Sequence, residues 1–340
     1  MSLEDTPSQA ANGRSENENG PAAGGVAGVF LGAILAGVIL GLSAPSAGEA
    51  ASRGVDATLL VMICLLFFDL RLDAVFQAVG KLRFLALAWG ANFLIVPFIG
   101  LAIASLVLPN QPLLFAGLMI YFLAPCTDWF LGFTQMADGD IELGAALIPL
   151  NLITQLLLFP VWIWLFTQHT GLVDLTTIPG ILAQWFLLPL IAAQALRFGL
   201  EKTMPSEAFG TLLEWTGRFV PFALAVLIFQ IFAANVGLIA DHLHSFALIS
   251  LAVFLFFTAT FLVGEGLARL AHLAYPQRAL LAMTMAARNA PLMLVITAAA
   301  LPDQPLILAA LVIGMLVEIP HLTVLRQVLL ARREVRPGLG

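Results

Sequence analysis

The sequence predicts an all-α membrane protein with ten transmembrane helices, and three observations support this fold class. First, 60% of the 340 residues are hydrophobic and only 11% are charged, whereas soluble domains carry charge on about 25% of their residues. Second, the apolar residues form blocks of about 20, the length of helix that crosses the hydrocarbon core of a bilayer. Third, two of these blocks are interrupted by polar residues and a proline.

The predicted spans are separated by short connections rich in Pro, Gly, Asp and Asn. The spans are 22–43, 56–72, 83–107, 112–136, 141–167, 177–199, 216–239, 244–268, 277–300 and 303–328. No linker divides them into separate domains. Residues 21–330 are therefore predicted to form one unit, flanked by a disordered cytoplasmic tail at 1–20 and a cytoplasmic tail at 331–340.

The basic residues predict the orientation of the chain. If it crosses the membrane ten times, all 15 Lys and Arg residues except Arg53 and Arg288 fall on the side of the N-terminus. Because Lys and Arg favour the cytoplasmic side, both termini are predicted to be cytoplasmic, in the inner (plasma) membrane. The ten spans divide into halves of five, 21–170 and 175–330, which must have opposite orientations. The interrupted spans are the fourth of each half, which is the plan of an inverted-repeat transporter.

The fourth span is interrupted at Pro125. Proline removes a backbone donor and disfavours helix in the preceding residue. Unpaired backbone groups at membrane depth are tolerated only inside protein or beside a wet cavity. The break carries a thiol, a hydroxyl and a carboxylate, from Cys126, Thr127 and Asp128. Thr127 or Asp128 is predicted to cap the second half-helix, whose positive end suits an anion or an oxygen-rich solute.

The ninth span repeats this arrangement before Pro291, with a cation in place of the acid. If the two breaks cross at the midplane, the side chains that meet there are Cys126, Thr127, Asp128, Arg288 and Asn289. Two interpretations of Asp128 and Arg288 remain open. They form a structural salt bridge, as intramembrane ions commonly do, or Asp128 is the proton-coupling group and Arg288 its internal counter-cation.

Four further polar residues lie within predicted spans and supply a polar lining. They are Asn92, Asn151, Gln155 and Glu318. Asn151 and Gln155 are four residues apart and therefore share one helix face. Contacts between neighbouring helices would explain each residue taken alone.

Small residues predict close packing of the first span. Gly28 and Gly32, and likewise Gly37 and Gly41, have the four-residue spacing that lets helices approach closely. Cys64 lies in an apolar span without polar neighbours and is predicted to be a packing residue. Cys126 is either a packing residue or, beside the break, a functional thiol.

Several classes of function are not predicted. An intramembrane enzyme with Cys126 as nucleophile would need a histidine base, and the five histidines mostly fall at span ends. The segment Asp241-His242-Leu243-His244 is interpreted as a solvated turn, so no metal site is predicted, and no cofactor motif is present. No basic patch indicates nucleic acid as a partner, and the expected partners are a lipid bilayer and a small anion or metalloid.

The polar motifs together resemble the bile acid:sodium symporter superfamily, specifically its branch of arsenite-efflux permeases and arsenic-resistance proteins. The residues that carry the resemblance are Ala124-Pro125-Cys126-Thr127-Asp128, Phe133-Thr134, Gly139-Asp140, Asn151, Gln155, Arg288-Asn289-Ala290-Pro291 and Gly314-Met315-Leu316-Val317-Glu318-Ile319-Pro320. The resemblance implies a panel domain, spans 1, 2, 6 and 7, that moves against a core domain, spans 3–5 and 8–10. It also implies that spans 4 and 9 are unwound helices that cross.

The resemblance further implies a function for the break. Cys126 stands where the arsenite branch holds an essential cysteine, and soft thiolate suits arsenic(III). Thr284 and Arg288 stand where sodium-coupled members carry a glutamate and a glutamine, which argues against at least one sodium site. Leu292 and Met293 follow the asparagine where arsenite permeases usually have an acidic residue. This last difference leaves open another small anion or metalloid as the substrate. From Cys126 and the missing sodium ligands, we expect proton-coupled efflux of arsenite, antimonite or a similar small oxyanion, with sodium-coupled import of an organic anion as the alternative.

Overall fold

The computed structural model describes residues 23–69, 82–127, 129–167, 180 and 183–334. Within them the regular structure is helical, which confirms the all-α prediction. The helices are α1 (Ala23–Ser43), α2 (Pro45–Ser52), α3 (Val55–Asp69), α4 (Leu82–Val107), α5 (Pro112–Leu123), α6 (Phe130–Met136), α7 (Ile141–Thr167), α8 (Leu188–Thr203), α9 (Ser206–Ala234), α10 (Val236–Ala240), α11 (Leu243–Leu270), α12 (Tyr275–Ala286), α13 (Ala290–Ala300) and α14 (Pro305–Glu334). The predicted tail at 1–20 and the boundary between the predicted halves lie outside the described residues.

The apolar helices indicate a multi-pass membrane protein. Five of the described helices are long and apolar enough to cross a bilayer, and the bent pair α2–α3 is a sixth candidate. Each predicted span contains helix, and two helices extend well beyond the predicted ends. α9 begins at Ser206 rather than at 216, because a polar first part precedes its apolar part. α14 continues to Glu334, where the basic residues of its last turn bind acidic partners.

One group of helices packs around α9, with α1, α3 and α8 as its neighbours. α1 approaches α9 closely because Gly37 faces the α9 backbone, where a Cβ atom would lie 2.7 Å from the Phe229 carbonyl oxygen. Gly41 makes a similar approach to Ala233. Gly28 and Gly32 have no described neighbour within 4 Å of such an atom. The prediction of close packing is therefore right for the second glycine pair and wrong for the first.

A second group packs around α14, which contacts α5, α11 and α13. α5 approaches α14 closely at two glycines. A Cβ atom on Gly117 would lie 2.8 Å from the Ile307 carbonyl oxygen, and one on Gly314 would lie 3.0 Å from the Tyr121 ring. α4, α7 and α12 complete this group, which meets the first through contacts of α14 with α1 and α9 and of α13 with α3.

A cluster of charges joins the ends of α11, α12 and α14. Glu265 on α11 is buried and accepts hydrogen bonds from Arg278 and from Arg332, the latter at 2.9 Å. Close by on α14, Arg333 pairs with Asp138, which follows α6. These ion pairs fix the ends of the second group of helices relative to one another.

Candidate binding site at two helix breaks

Both predicted breaks interrupt a helix in the structure. α5 ends before Ala124, which is extended (φ −104°, ψ 100°), as expected for a residue that precedes proline. α12 ends before Ala287, which is also extended (φ −71°, ψ 136°). Pro291 lies in the first turn of α13, where the missing amide of proline does no harm. Each break is therefore a short extended segment between two half-helices.

The two extended segments pair with each other. An antiparallel bridge joins Pro125 to Arg288. The Cys126 amide donates to the Ala287 carbonyl (3.1 Å), and the Asn289 amide donates to the Ala124 carbonyl (2.8 Å). Because hydrocarbon offers no hydrogen-bond partner, each break supplies the partners that the other lacks.

Asn289 connects the two breaks through its side chain. Its Oδ1 atom accepts from the Leu292 amide (3.3 Å) and so caps α13, and its Nδ2 atom donates to Thr127 Oγ1 (2.8 Å). The prediction that Thr127 caps the second half-helix is wrong. α6 begins later, at Phe130, and its capping position is held by Trp129 without a side-chain hydrogen bond. Asp128, the other predicted cap and site residue, lies outside the described residues.

The two cysteines occupy different environments. Cys126 is fully buried at the crossing of the breaks. Cys64 is exposed on α3, so the prediction that it is a packing residue is wrong. The prediction fails because a small apolar side chain in a membrane-spanning helix can face lipid as well as the protein interior.

The Arg288 guanidinium lies at the C-terminal ends of two half-helices. Nη1 donates to the Phe122 carbonyl at the end of α5 (2.9 Å). Nη2 donates to the Thr284 and Met285 carbonyls at the end of α12 (2.8 Å each) and to Asn92 Oδ1 (3.3 Å). The last carbonyls of a helix lack partners inside the helix and carry its partial negative charge. The guanidinium thus caps α5 and α12 together and takes no part in the contact between Thr127 and Asn289.

Asn92 reaches this site from a local irregularity of α4. It lies in the π-helical turn Ala91–Ile95, a type of turn that is common at functional sites. Its Nδ2 atom donates to Thr284 Oγ1 (3.0 Å) while its Oδ1 atom accepts from Arg288. Nearby, Trp89 Nε1 donates to Thr154 Oγ1 (3.0 Å) and holds α4 to α7. Asn92 is therefore in contact with the second break and with its buried cation.

Glu318 attaches α14 to both breaks. It is fully buried, and its carboxylate accepts from the Arg288 amide (2.9 Å), the Tyr121 hydroxyl (2.9 Å) and Trp129 Nε1 (3.1 Å). Sequence reasoning missed Tyr121 and Trp129. A signal was available, because both are hydrogen-bond donors that flank the first break, and the chain has only 2 tyrosines.

Asn151 and Gln155 on α7 complete the predicted polar residues. Both are buried, and neither amide group has a hydrogen-bond partner among the described residues. A buried polar group left without a partner costs about 1–3 kcal/mol. α7 packs against both α5 and α12, the half-helices that lead into the breaks. These two amides therefore offer unused donors and acceptors on a helix that packs against both of these half-helices.

A helical membrane protein in which two interrupted helices meet is the architecture of a secondary transporter. Residues 57–242 match the sequence profile described as the sodium bile acid symporter family, and the chain belongs to this family. It is also similar to the arsenical-resistance protein Acr3 of Corynebacterium glutamicum, with 26% identity over 308 residues that cover 87% of this chain and 82% of that protein. The predicted resemblance is confirmed. The chain is a multi-pass membrane transporter and not an enzyme.

Proposed function

We propose that this transporter exports arsenite, antimonite or a similar small oxyanion by alternating access, driven by protons. The observation that carries the proposal is a buried thiol, Cys126, at the crossing of two helix breaks. Arsenic(III) and antimony(III) are soft centres that prefer thiolate. The similarity to an arsenical-resistance protein supports the same substrate class.

The proposed transport cycle rests on a chain that crosses the plasma membrane ten times, with both termini in the cytoplasm. Its halves are inverted repeats, in which the α5–α6 break of the first corresponds to the α12–α13 break of the second. The helices around α9 form the panel domain, and those around α14 form the core domain. The packing of the described helices into two groups supports this division, because alternating access requires one rigid group to move against another.

In the proposed substrate site, Cys126 binds the metalloid centre and the neighbouring polar groups bind its oxygens. Thr127 and Asn289 supply a hydroxyl and an amide at the N-terminal end of α13, which favours negative charge. Asn151 and Gln155 supply amides without partners in the described structure. These groups can exchange their contacts for bonds to a small, oxygen-rich solute.

The coupling ion is proposed to be a proton, with Asp128 as its carrier. The surroundings of Arg288 support this over sodium. Carbonyl and amide oxygens are ligands for hard cations, and here Phe122, Thr284, Met285 and Asn92 direct such oxygens at a cation that is already part of the chain. A guanidinium fixed in this position excludes a sodium ion from the same oxygens.

Sodium-coupled import of an organic anion is the second candidate function, because the matched family is described as sodium bile acid symporters. Transport into membrane vesicles separates the two candidates. A pH gradient alone should drive arsenite movement, and a sodium gradient alone should not. Asp128→Asn should abolish the dependence on the pH gradient, and an unchanged dependence would exclude Asp128 as the proton carrier.

The substrate is tested by survival of an arsenite-sensitive host on arsenite and on antimonite. Wild-type protein and Cys64→Ala should protect the host, whereas Cys126→Ala should not. Cys64 is the matched control because its side chain is exposed on α3, outside both helix breaks. Absence of protection by the wild-type protein, at a verified level in the membrane, would remove arsenite as the substrate.

A further inference from the structure

We infer that Glu318 is the counter-ion of Arg288, and that this pair fixes the position of both helix breaks against α14. One interpretation of the sequence pairs Arg288 with Asp128. With Glu318 as the counter-ion instead, Asp128 remains available to carry the coupling proton. The transport readout below rests on the proposed function, whereas the stability readout does not.

The charge of Arg288 requires a buried partner. Its side chain is fully buried, and the acceptors around its guanidinium are three main-chain carbonyls and one amide oxygen. These neutral oxygens bind Nη1 and Nη2, whereas Nε has no partner among the described residues, and none of them neutralises the charge. A buried charge without a partner of opposite sign is strongly unfavourable, and the more so at membrane depth.

The described structure has two buried acids to supply that partner. Glu265 is already paired with two arginines, Arg278 and Arg332, at the far end of the same helices. Glu318 has no arginine or lysine side chain within salt-bridge distance in the described residues and lies directly against the main chain of Arg288. Among the described residues, Glu318 is by position and by charge the buried acid left for Arg288.

The donors around Glu318 suit an anion. An amide, a phenol and an indole N–H all direct hydrogens at its two oxygens. Hydrogen bonds from three donors favour the ionised form of a carboxyl group, because the protonated acid would bring a further donor into the group. The donors come from α5, from the residue before α6 and from the second break. The acid therefore neutralises Arg288 and fixes the relative position of both breaks through the same two oxygens.

A double-mutant cycle tests the pairing. Arg288→Gln and Glu318→Gln should each lower the Tm of the purified full-length protein by about 5–10 °C, because each leaves one buried charge without a partner. The double variant Arg288→Gln/Glu318→Gln should recover the part of that loss that comes from an unpaired charge, whereas the lost bonds to the ends of α5 and α12 are not recovered. The comparison variant Arg288→Gln/Asp128→Asn should recover none.

Two results would overturn the inference. One is additive loss in the Arg288→Gln/Glu318→Gln variant, and the other is recovery only in the variant that combines Arg288→Gln with Asp128→Asn. If wild-type protein fails to move arsenite but the cycle shows the expected recovery, the substrate proposal fails and the counter-ion assignment stands.

The positioning role is tested with Glu318→Asp, which keeps the charge but is shorter by one methylene. Its Tm should fall less than that of Glu318→Gln, since Arg288 keeps an anionic partner although some donors lose their hydrogen bond. Its maximal rate of arsenite efflux per folded molecule should fall several-fold, because the shorter acid cannot reach donors on both breaks at once. Wild-type rates in Glu318→Asp would show that the acid supplies charge alone and would remove the positioning role.

Discussion

The two buried acids of the described structure are stabilised in opposite ways. Glu265, near the ends of α11, α12 and α14, bonds directly to the side chains of Arg278 and Arg332, which are 20% and 44% exposed. Glu318 is fully buried and bonds to neutral donors, while the nearby guanidinium of Arg288 bonds to neutral acceptors. Direct ion pairs near the helix ends hold a fixed geometry. At the breaks, each charge instead replaces hydrogen bonds that the interrupted helices cannot make for themselves.

Neutralising the two acids separately should give the largest contrast. Glu318→Gln should lower the free energy of unfolding by about 3–5 kcal/mol, because Arg288 then has no buried counter-ion. Glu265→Gln should cost about 1–2 kcal/mol, because its arginines can reach water. Thermal unfolding in detergent, followed by loss of the monodisperse peak, measures both. Equal losses of unfolding free energy would show that the deeper burial of Glu318 does not make its charge more important for stability than that of Glu265.

Replacing each arginine with lysine should give the next largest effect. Arg288→Lys should lose about 2 kcal/mol, because an ammonium lacks the fork that reaches the ends of α5 and α12 together. Arg278→Lys is the matched control. Its free energy of unfolding should stay within about 1 kcal/mol of the wild-type value, because an ammonium group can also pair with the carboxylate of Glu265. The same unfolding assay compares them. A larger loss for Arg278→Lys would contradict the capping role of Arg288.

Asn92→Ala should have a smaller effect. It removes one acceptor from Arg288 and one donor to Thr284, and we expect a loss of about 1–2 kcal/mol. Thr154→Val, which removes the partner of Trp89 on the neighbouring face of α4, is the control. Arsenite efflux per folded molecule should fall for Asn92→Ala and remain unchanged for Thr154→Val. Equal efflux by the two variants would assign Asn92 to helix packing alone.

Removal of the Asp138–Arg333 pair should have the smallest effect. Both side chains are more than half exposed, at 57% and 54%. Surface pairs contribute about 0–1 kcal/mol, so Asp138→Asn should change stability by less than about 1 kcal/mol and leave efflux unchanged. The stability change in Asp138→Asn is the reference value against which the changes at the buried charges are compared. A loss as large as that of Glu318→Gln would show that the helix ends, rather than the breaks, limit stability.

The interruptions of the helices could be predicted from sequence because proline and charge stand out within an apolar run. Pro125 and Arg288 were found in this way, and both lie at helix breaks in the structure. The pairing of the two breaks, and the direction in which Arg288 points, could not be predicted. They depend on contacts between segments far apart in the chain, such as the bond from Arg288 to Phe122, 166 residues away.

Local rules failed where tertiary contacts provided better partners. Thr127 is a good helix cap by residue type, but its hydroxyl accepts from Asn289 instead. The π-helical turn that presents Asn92 leaves no clear sequence pattern. Gly28 and Gly32 have the same spacing as Gly37 and Gly41, yet only the second pair lies opposite the α9 backbone. Spacing identifies small residues that can pack closely, but the neighbouring helix decides which of them do.

The mutual pairing of the breaks has a consequence for biosynthesis. The ribosome makes the first break long before the second, and Thr127 meets its amide partner only when Asn289, 162 residues later, has been inserted. Until then the Ala124 carbonyl and the Cys126 amide have no main-chain partner from the other segment. Until the second break has been inserted, these groups in the nascent first half need other partners, such as water or the insertion machinery.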